Sequence, residues 1–156
     1  LSGYAFTPEV TRRLIKDFPK NIVGMKDSTG NLWNNFKAEN FSMFVGSEKK
    51  LLDSLNLGGA GCISATTNVI GSLAKKVYDD FHKSGNSSEN EKLKILRTIF
   101  DDTGNLIAAV HTFKSLENKV YENLLPPLEL LSDSKKKEMM KKLKDLNFLP
   151  NKNIAA

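Results

Sequence analysis

Apolar and polar positions fall into short apolar runs, each followed by a polar turn and a helical stripe. Val10, Leu14 and Ile15 recur at helical spacing up to about Asp17. Thr7-Pro8-Glu9 marks the start of that helix. Thr7 can accept from the free amides, Pro8 suits the first helical position, and Glu9 complements the dipole. Phe18-Pro19-Lys20-Asn21 breaks it, and Ile22 to Lys26 follows as an apolar run ending on a lysine. A short unalternating run of this kind predicts a strand covered on both faces. Asp27-Ser28-Thr29-Gly30-Asn31 is turn chemistry, with a short helix expected through Leu32, Trp33 and Phe36. Met43-Phe44-Val45-Gly46 is a second run, and Ser47-Glu48 opens a helix carrying Leu51, Leu52 and Leu55. Gly58-Gly59-Ala60-Gly61 leads into a third, Cys62-Ile63-Ser64-Ala65. Thr66-Thr67-Asn68 then turns into a helix with Val69, Ile70, Leu73, Val77 and Phe81 on one face. Strand, turn and helix repeated at this spacing predict βα units, hence an α/β fold with a parallel sheet.

Beyond Ser84-Gly85-Asn86 only helical stripes remain. Ser88 and Glu91 form a capping box. Leu93, Leu96, Arg97 and Phe100 define one helix, and Leu106, Ala109, Val110 and Phe113 another. Leu125-Pro126-Pro127 is a stiff break, followed by an amphipathic helix from Asp133 to Leu146 with Met139, Met140 and Leu143 inward. The chain therefore divides into βα units over residues 1–84 and a helical domain over 85–156. Three βα units do not close a barrel, which needs eight strands. Left open, they expose two strand edges. The segment is either a small open sheet or the C-terminal part of something larger. Leu1-Ser2-Gly3, neither an initiator methionine nor a signal peptide, favours the second.

Composition narrows the function classes. With 40% hydrophobic and 26% charged residues among 156, the chain suits one ordinary soluble domain with a real core. The net charge of +5 comes largely from lysines between Lys135 and Lys144, a solvated helix face. No aromatics interleave with them, so no nucleic-acid partner is expected. Cys62 is alone, which rules out an internal disulfide and suits a reducing cytoplasm. His82 and His111 have no partners at metal-ligand spacing, and no metal is expected. No apolar run approaches the roughly 18 residues of a membrane span.

The chemistry centres on the first strand. Side chains alternate, so Ile22, Gly24 and Lys26 share one face and Val23, Met25 and Asp27 the other. An inward lysine at the C-terminal end of a parallel strand is desolvated near the mouth of a pocket, a setting in which it loses its proton and attacks a carbonyl. The plainer reading is a lysine that begins the loop.

Three stretches are similar to one family: Ile22 to Gly30, then Phe44-Val45-Gly46-Ser47-Glu48, then Gly58-Gly59-Ala60-Gly61-Cys62-Ile63-Ser64 with Asn68. In this order they resemble the last three βα units of the pyruvate-dependent class I aldolases. That family is typified by dihydrodipicolinate synthase and N-acetylneuraminate lyase, and includes the 2-keto-3-deoxygluconate aldolases. The resemblance implies the C-terminal part of a TIM (β/α)8 barrel followed by a C-terminal helical domain with a proline pair like Pro126-Pro127. Lys26 then matches the Schiff-base lysine, whose neutral amine attacks a 2-keto acid, so no cofactor is implied. Gly46 matches a close backbone approach to the ligand. Ser47 and Glu48 match positions on a sugar-acid tail, although Glu48 equally suits a helix N-terminus. Ser28 matches a hydroxyl-bearing position or simple turn chemistry. Ile63 matches an apolar wall beside the imine, with Ser64 and Ala65 next to it. Gly58 to Gly61 reads as a tight barrel turn rather than a phosphate cradle, since no Gly-Lys-Ser/Thr follows.

The implied reaction is cleavage of a 2-keto-3-deoxy sugar acid to pyruvate and an aldehyde. The alternatives are dihydrodipicolinate synthase, N-acetylneuraminate lyase, or a non-catalytic segment whose helices serve assembly. The implied partners are a small 2-keto acid and an aldehyde, in a homotetramer. The family's tyrosine and threonine pair belong to strands that would precede Leu1, and Tyr4 does not stand in for the tyrosine. Leu125 stands where many relatives carry a basic residue. On this reading the isolated chain is expected to be inert or to aggregate.

Overall fold

The computed structural model describes residues 5–150. Leu1-Ser2-Gly3 and Tyr4 lie outside the described residues. The chain forms two compact units, one of residues 1–64 and 75–88, the other of residues 65–74 and 89–156. The dividing lines fall between residues 64 and 65, between 74 and 75, and between 88 and 89.

The first unit opens with α1, Pro8–Asp17, capped as its residues require: the Thr7 hydroxyl accepts from the Val10 amide at 3.3 Å. Val10 does not face the core as its spacing suggested. It is exposed, and Thr11 is fully buried instead, its hydroxyl donating to the Thr7 carbonyl. Three parallel strands follow in the order β1 (Gly24–Asp27), β2 (Ser42–Val45) and β3 (Gly61–Cys62). Each lies within a residue or two of its apolar run, but β1 begins later than Ile22 and β3 ends before Ile63. The register places Lys26 beside Phe44, Asp27 beside Val45, and Phe44 beside Gly61. One face of the sheet packs inward: Met43 is buried with Leu32 and Phe36, and Ile15, Met25, Trp33 and Phe41 pack around that cluster. The Arg12 guanidinium lies over the Phe36 ring at 4.8 Å.

The helix expected at Leu32 to Phe36 is a single turn, closed by the Phe36 amide on the Leu32 carbonyl at 2.8 Å. After β2 the chain makes a 3-10 turn, Glu48–Lys50, and then α2, Leu51–Asn56. That helix ends as its glycines dictate: Gly58 takes φ +86, its amide bonds to the Leu55 carbonyl and that of Gly59 to the Ser54 carbonyl. The glycine run thus stops a helix before β3, and no phosphate cradle is built there.

The second unit contains the start of α3 (Thr67–Ser84), whose helical geometry breaks at Ile70. It continues with α4 (Asn90–Asp101), α5 (Leu106–Ser115) and α6 (Asp133–Asp145). Leu93, Leu96, Phe100, Phe113, Met139 and Leu143 are buried as their spacing predicts. Phe113 meets the edge of Phe100 and stacks on Phe148. Pro126-Pro127 is a cis bond in the connection to α6. The Ser88/Glu91 capping box does not form. Glu89 occupies the N-cap, and Glu91 pairs with Lys94 at 3.0 Å. No described helix is long and apolar enough to cross a membrane.

Candidate active site

Side-chain alternation places Gly24 and Lys26 on the sheet face opposite half-buried Met25 and buried Asp27. The register then puts Phe44 and Gly61 on that same face, and the glycines confirm it: a Cβ built on Gly24 or Gly61 would approach the Phe44 ring. At the C-terminal edge of this face stand Lys26, then Ser28 beyond it, Gly46 after β2, and Ile63 after β3. Ser28 sits directly on Gly46. A Cβ added at Gly46 would lie 2.2 Å from Ser28 Oγ and 2.9 Å from its Cα. The Gly46 amide bonds to the Asp27 carbonyl at 2.8 Å, extending the ladder past the last paired residues. Gly46 is thus a point of close backbone approach, and only a residue without a side chain fits under Ser28.

Lys26 is exposed, not dry as its strand suggested. Three strands form an open ribbon, so the face that would be a barrel interior has no described strands across from it. Ile63 is likewise 51% exposed. Ser47 uses its hydroxyl as a cap, accepting from the Lys49 amide at 3.4 Å. Glu48 is fully buried in the first turn of the 3-10 helix, so its carboxylate is not presented to an open cleft in this chain. Ser64 is buried at the end of the first unit. Ala65 is half-buried and belongs to the second unit. The first unit therefore brings Lys26, Ser28 and Gly46 to one strand edge, with Ile63 on the same face. Ser47 caps the following 3-10 turn, and Glu48 is its first residue.

Asp27 is more than a turn residue. It is 5% exposed, and its carboxylate collects five hydrogen bonds. Oδ1 accepts from the Thr29 amide (2.8 Å), the Thr29 hydroxyl (2.7 Å) and the Gly30 amide (3.2 Å). Oδ2 accepts from the amides of Leu32 (2.8 Å) and Trp33 (3.0 Å). The loop after Lys26 is wound around this one group. The signal available in sequence was the Asp27-Ser28-Thr29-Gly30 spacing, an Asx turn whose further reach to Leu32 and Trp33 is tertiary.

Burial pushes the Asp27 carboxyl up, but the Thr29 hydroxyl and the Leu32, Trp33 and Thr29 amides outweigh it and hold the group below its ordinary 3.8. A folded value below the unfolded one means stability that is present above the unfolded value and lost as pH falls through the folded one. Urea midpoints are therefore expected to drop on acidification below about pH 4. Asp27→Asn, already less stable at neutral pH, should show a flatter acid limb.

Among the described residues no group of three or more His, Cys, Asp or Glu is arranged to hold a metal ion.

Residues 1–146 match the Dihydrodipicolinate synthetase family. A 4-hydroxy-tetrahydrodipicolinate synthase from Buchnera aphidicola is 30% identical over 97% of this chain and 53% of its own length. A protein of the same name from Methanopyrus kandleri is 28% identical over 96% of this chain and 52% of its own length. Among solved structures, dihydrodipicolinate synthase from Aquifex aeolicus superposes with a TM-score of 0.78 at 24% identity, over 94% of this chain and 52% of that one. A prophage protein of the same family from Escherichia coli, in complex with pyruvate, superposes with a TM-score of 0.77 at 23% identity, over 95% of this chain and 53% of that one. The chain spans about half the length of the curated relatives it matches. At these identities the superpositions show the fold, an α/β partial sheet with helices consistent with the partial barrel that the resemblance implied.

Proposed function

The chain belongs to the dihydrodipicolinate synthetase family, and from that premise we propose that it carries the imine-forming strand of a pyruvate-dependent class I aldolase with Lys26 as nucleophile. The neutral amine adds to the keto carbon of pyruvate, the keto oxygen leaves as water, and the resulting imine draws electrons from the neighbouring carbon so that a carbon–carbon bond can form or break. The observation that supports this most is the placement of Lys26 at the C-terminal edge of a parallel strand, with Ser28 and Gly46 in close contact beside it. Catalytic groups in barrels of this type gather at that edge.

The acceptor follows the relatives' names, those of synthases. The case for a sugar-acid substrate rested on Ser47 and Glu48. Glu48 is fully buried and the Ser47 hydroxyl serves as a cap, and with the relatives named as synthases, condensation of the synthase type is the better-supported reading. Ile63, Ser64 and Ala65 remain the proposed wall beside the imine. Assembly as a tetramer and a cytoplasmic setting are proposed on family grounds alone. One solved relative is described as a monomeric dihydrodipicolinate synthase variant.

The test is reductive trapping. Pyruvate and borohydride are added to the intact, full-length protein, hydride reduces the imine carbon to a stable secondary amine, and peptides are mapped by mass spectrometry. One reduced pyruvate on Lys26 is expected. Saturable labelling at another lysine, or none, would remove this reading. Running the trapped reaction forward with a panel of aldehydes then separates the synthase from the sugar-acid aldolase.

A further inference from the structure

We infer that Asp27 is a positioning residue for the Lys26 imine, an inference that rests on the reading of Lys26 as nucleophile. The two side chains leave β1 on opposite faces, so Asp27 never meets the substrate. Its influence passes through the backbone. The carboxylate gathers the Thr29, Gly30, Leu32 and Trp33 amides and the Thr29 hydroxyl, which leaves residues 28–33 one conformation around it. Ser28 lies inside that winding and is seated on Gly46. The Asp27 carbonyl, in turn, takes the Gly46 amide at 2.8 Å. Asp27 thus holds both sides of the strand edge beside Lys26: the loop through its side chain and the end of β2 through its main chain.

The charge state is part of the device. A carboxylate accepts at both oxygens, whereas an asparagine would turn an NH2 toward either the Leu32 and Trp33 amides or the Thr29 and Gly30 donors. Donors would then face donors in a buried place, and one half of the winding would open. Because the group lies on the core side of the sheet, opening it shifts Ser28 without removing any side chain from the face that receives pyruvate. A displacement of about 1 Å near a reacting centre can cost about a hundredfold in rate.

The test measures the rate and end-point of borohydride trapping of pyruvate at Lys26 in the wild type, Asp27→Asn, Thr29→Val and Val77→Ala. Val77, fully buried on α3, is a control for general destabilisation. Melting temperature reports the global fold. Emission and quenching of the single tryptophan, Trp33, report the winding, since its amide is one of the five donors. In Asp27→Asn the trapping rate is expected to fall about ten- to a hundredfold, with Trp33 more quenchable and the folded protein still labelled to one pyruvate per chain. Thr29→Val removes the hydroxyl's bond to Asp27 and the bond it accepts from the Asn31 amide, keeps the carboxylate, and should shift both readouts the same way by a smaller factor. It carries the test if the asparagine variant does not fold. Rates that fall no further than in Val77→Ala at matched melting temperature overturn the positioning role while leaving Lys26 as nucleophile. Wild-type labelling away from Lys26 overturns both.

Discussion

Lys26→Arg is expected to lose the reducible pyruvate adduct and to lower turnover by about three orders of magnitude or more, with stability unchanged to within about 0.5 kcal/mol. The two halves of that expectation come from different observations. Lys26 is exposed, stands on the open face of β1 and pairs with Phe44 only through strand register, so an arginine costs no packing. The chemistry does not survive the change. A guanidinium stays protonated and has no lone pair to offer a keto carbon, whereas an ammonium can shed its proton and condense. Arginine is therefore a sharper substitution than alanine, because it keeps the positive charge that could attract a keto-acid carboxylate. Pyruvate affinity by charge alone should persist while covalent capture vanishes. The check is mass spectrometry after borohydride, beside a urea titration on the same preparation. A Lys26→Arg variant that still accumulates reduced pyruvate at the wild-type rate would move the imine to another of the chain's lysines.

The parts of this molecule that were legible from residues are those whose causes are local. Thr7-Pro8-Glu9 starts α1 because its own hydroxyl, ring and charge act within one turn. The three strands lie near their apolar runs for the same reason. The failures share a different cause. The stretch from Leu32 to Phe36 has helical spacing, and the Asp27 carboxylate, from outside the stretch, caps the amides of Leu32 and Trp33, yet one turn is all that forms. Ser88 and Glu91 have the spacing of a capping box, yet the segment before them is tied back to α3: the Ser87 hydroxyl donates to Asp80 at 2.9 Å, and the helix starts later. Alternation along β1 separated Lys26 from Asp27 correctly. It could not say which face would be dry, because that depends on what lies across from the sheet. The same limit applies to Glu48, whose position after a strand was readable but whose complete burial was not.

Gly46→Ala should be strongly damaging, and its effect should be separable into a steric part and a functional part. The added Cβ would fall 2.2 Å from Ser28 Oγ, 2.8 Å from its Cβ and 2.9 Å from its Cα. A hydroxyl can rotate away, but a Cα cannot, so the backbone of one strand end must move. Overpacking of this kind costs about 1–3 kcal/mol, occasionally more. Ser28 cannot yield freely, because the next residue, Thr29, is held on Asp27 by amide and hydroxyl together. The strain therefore passes toward Lys26, two residues back, and trapping of pyruvate should slow along with the loss of stability. Ser28→Gly in the same chain removes the two nearest contacts and leaves only the Cα at 2.9 Å. The double variant should recover part of the lost stability, with a coupling energy of about 0.5–3 kcal/mol in a urea double-mutant cycle. Its trapping rate should recover less than its stability, because the residual backbone contact still displaces the strand edge. Additive effects in that cycle would mean that Ser28 does not sit on Gly46. The close approach that gathers Lys26, Ser28 and the end of β2 at one edge would then be absent.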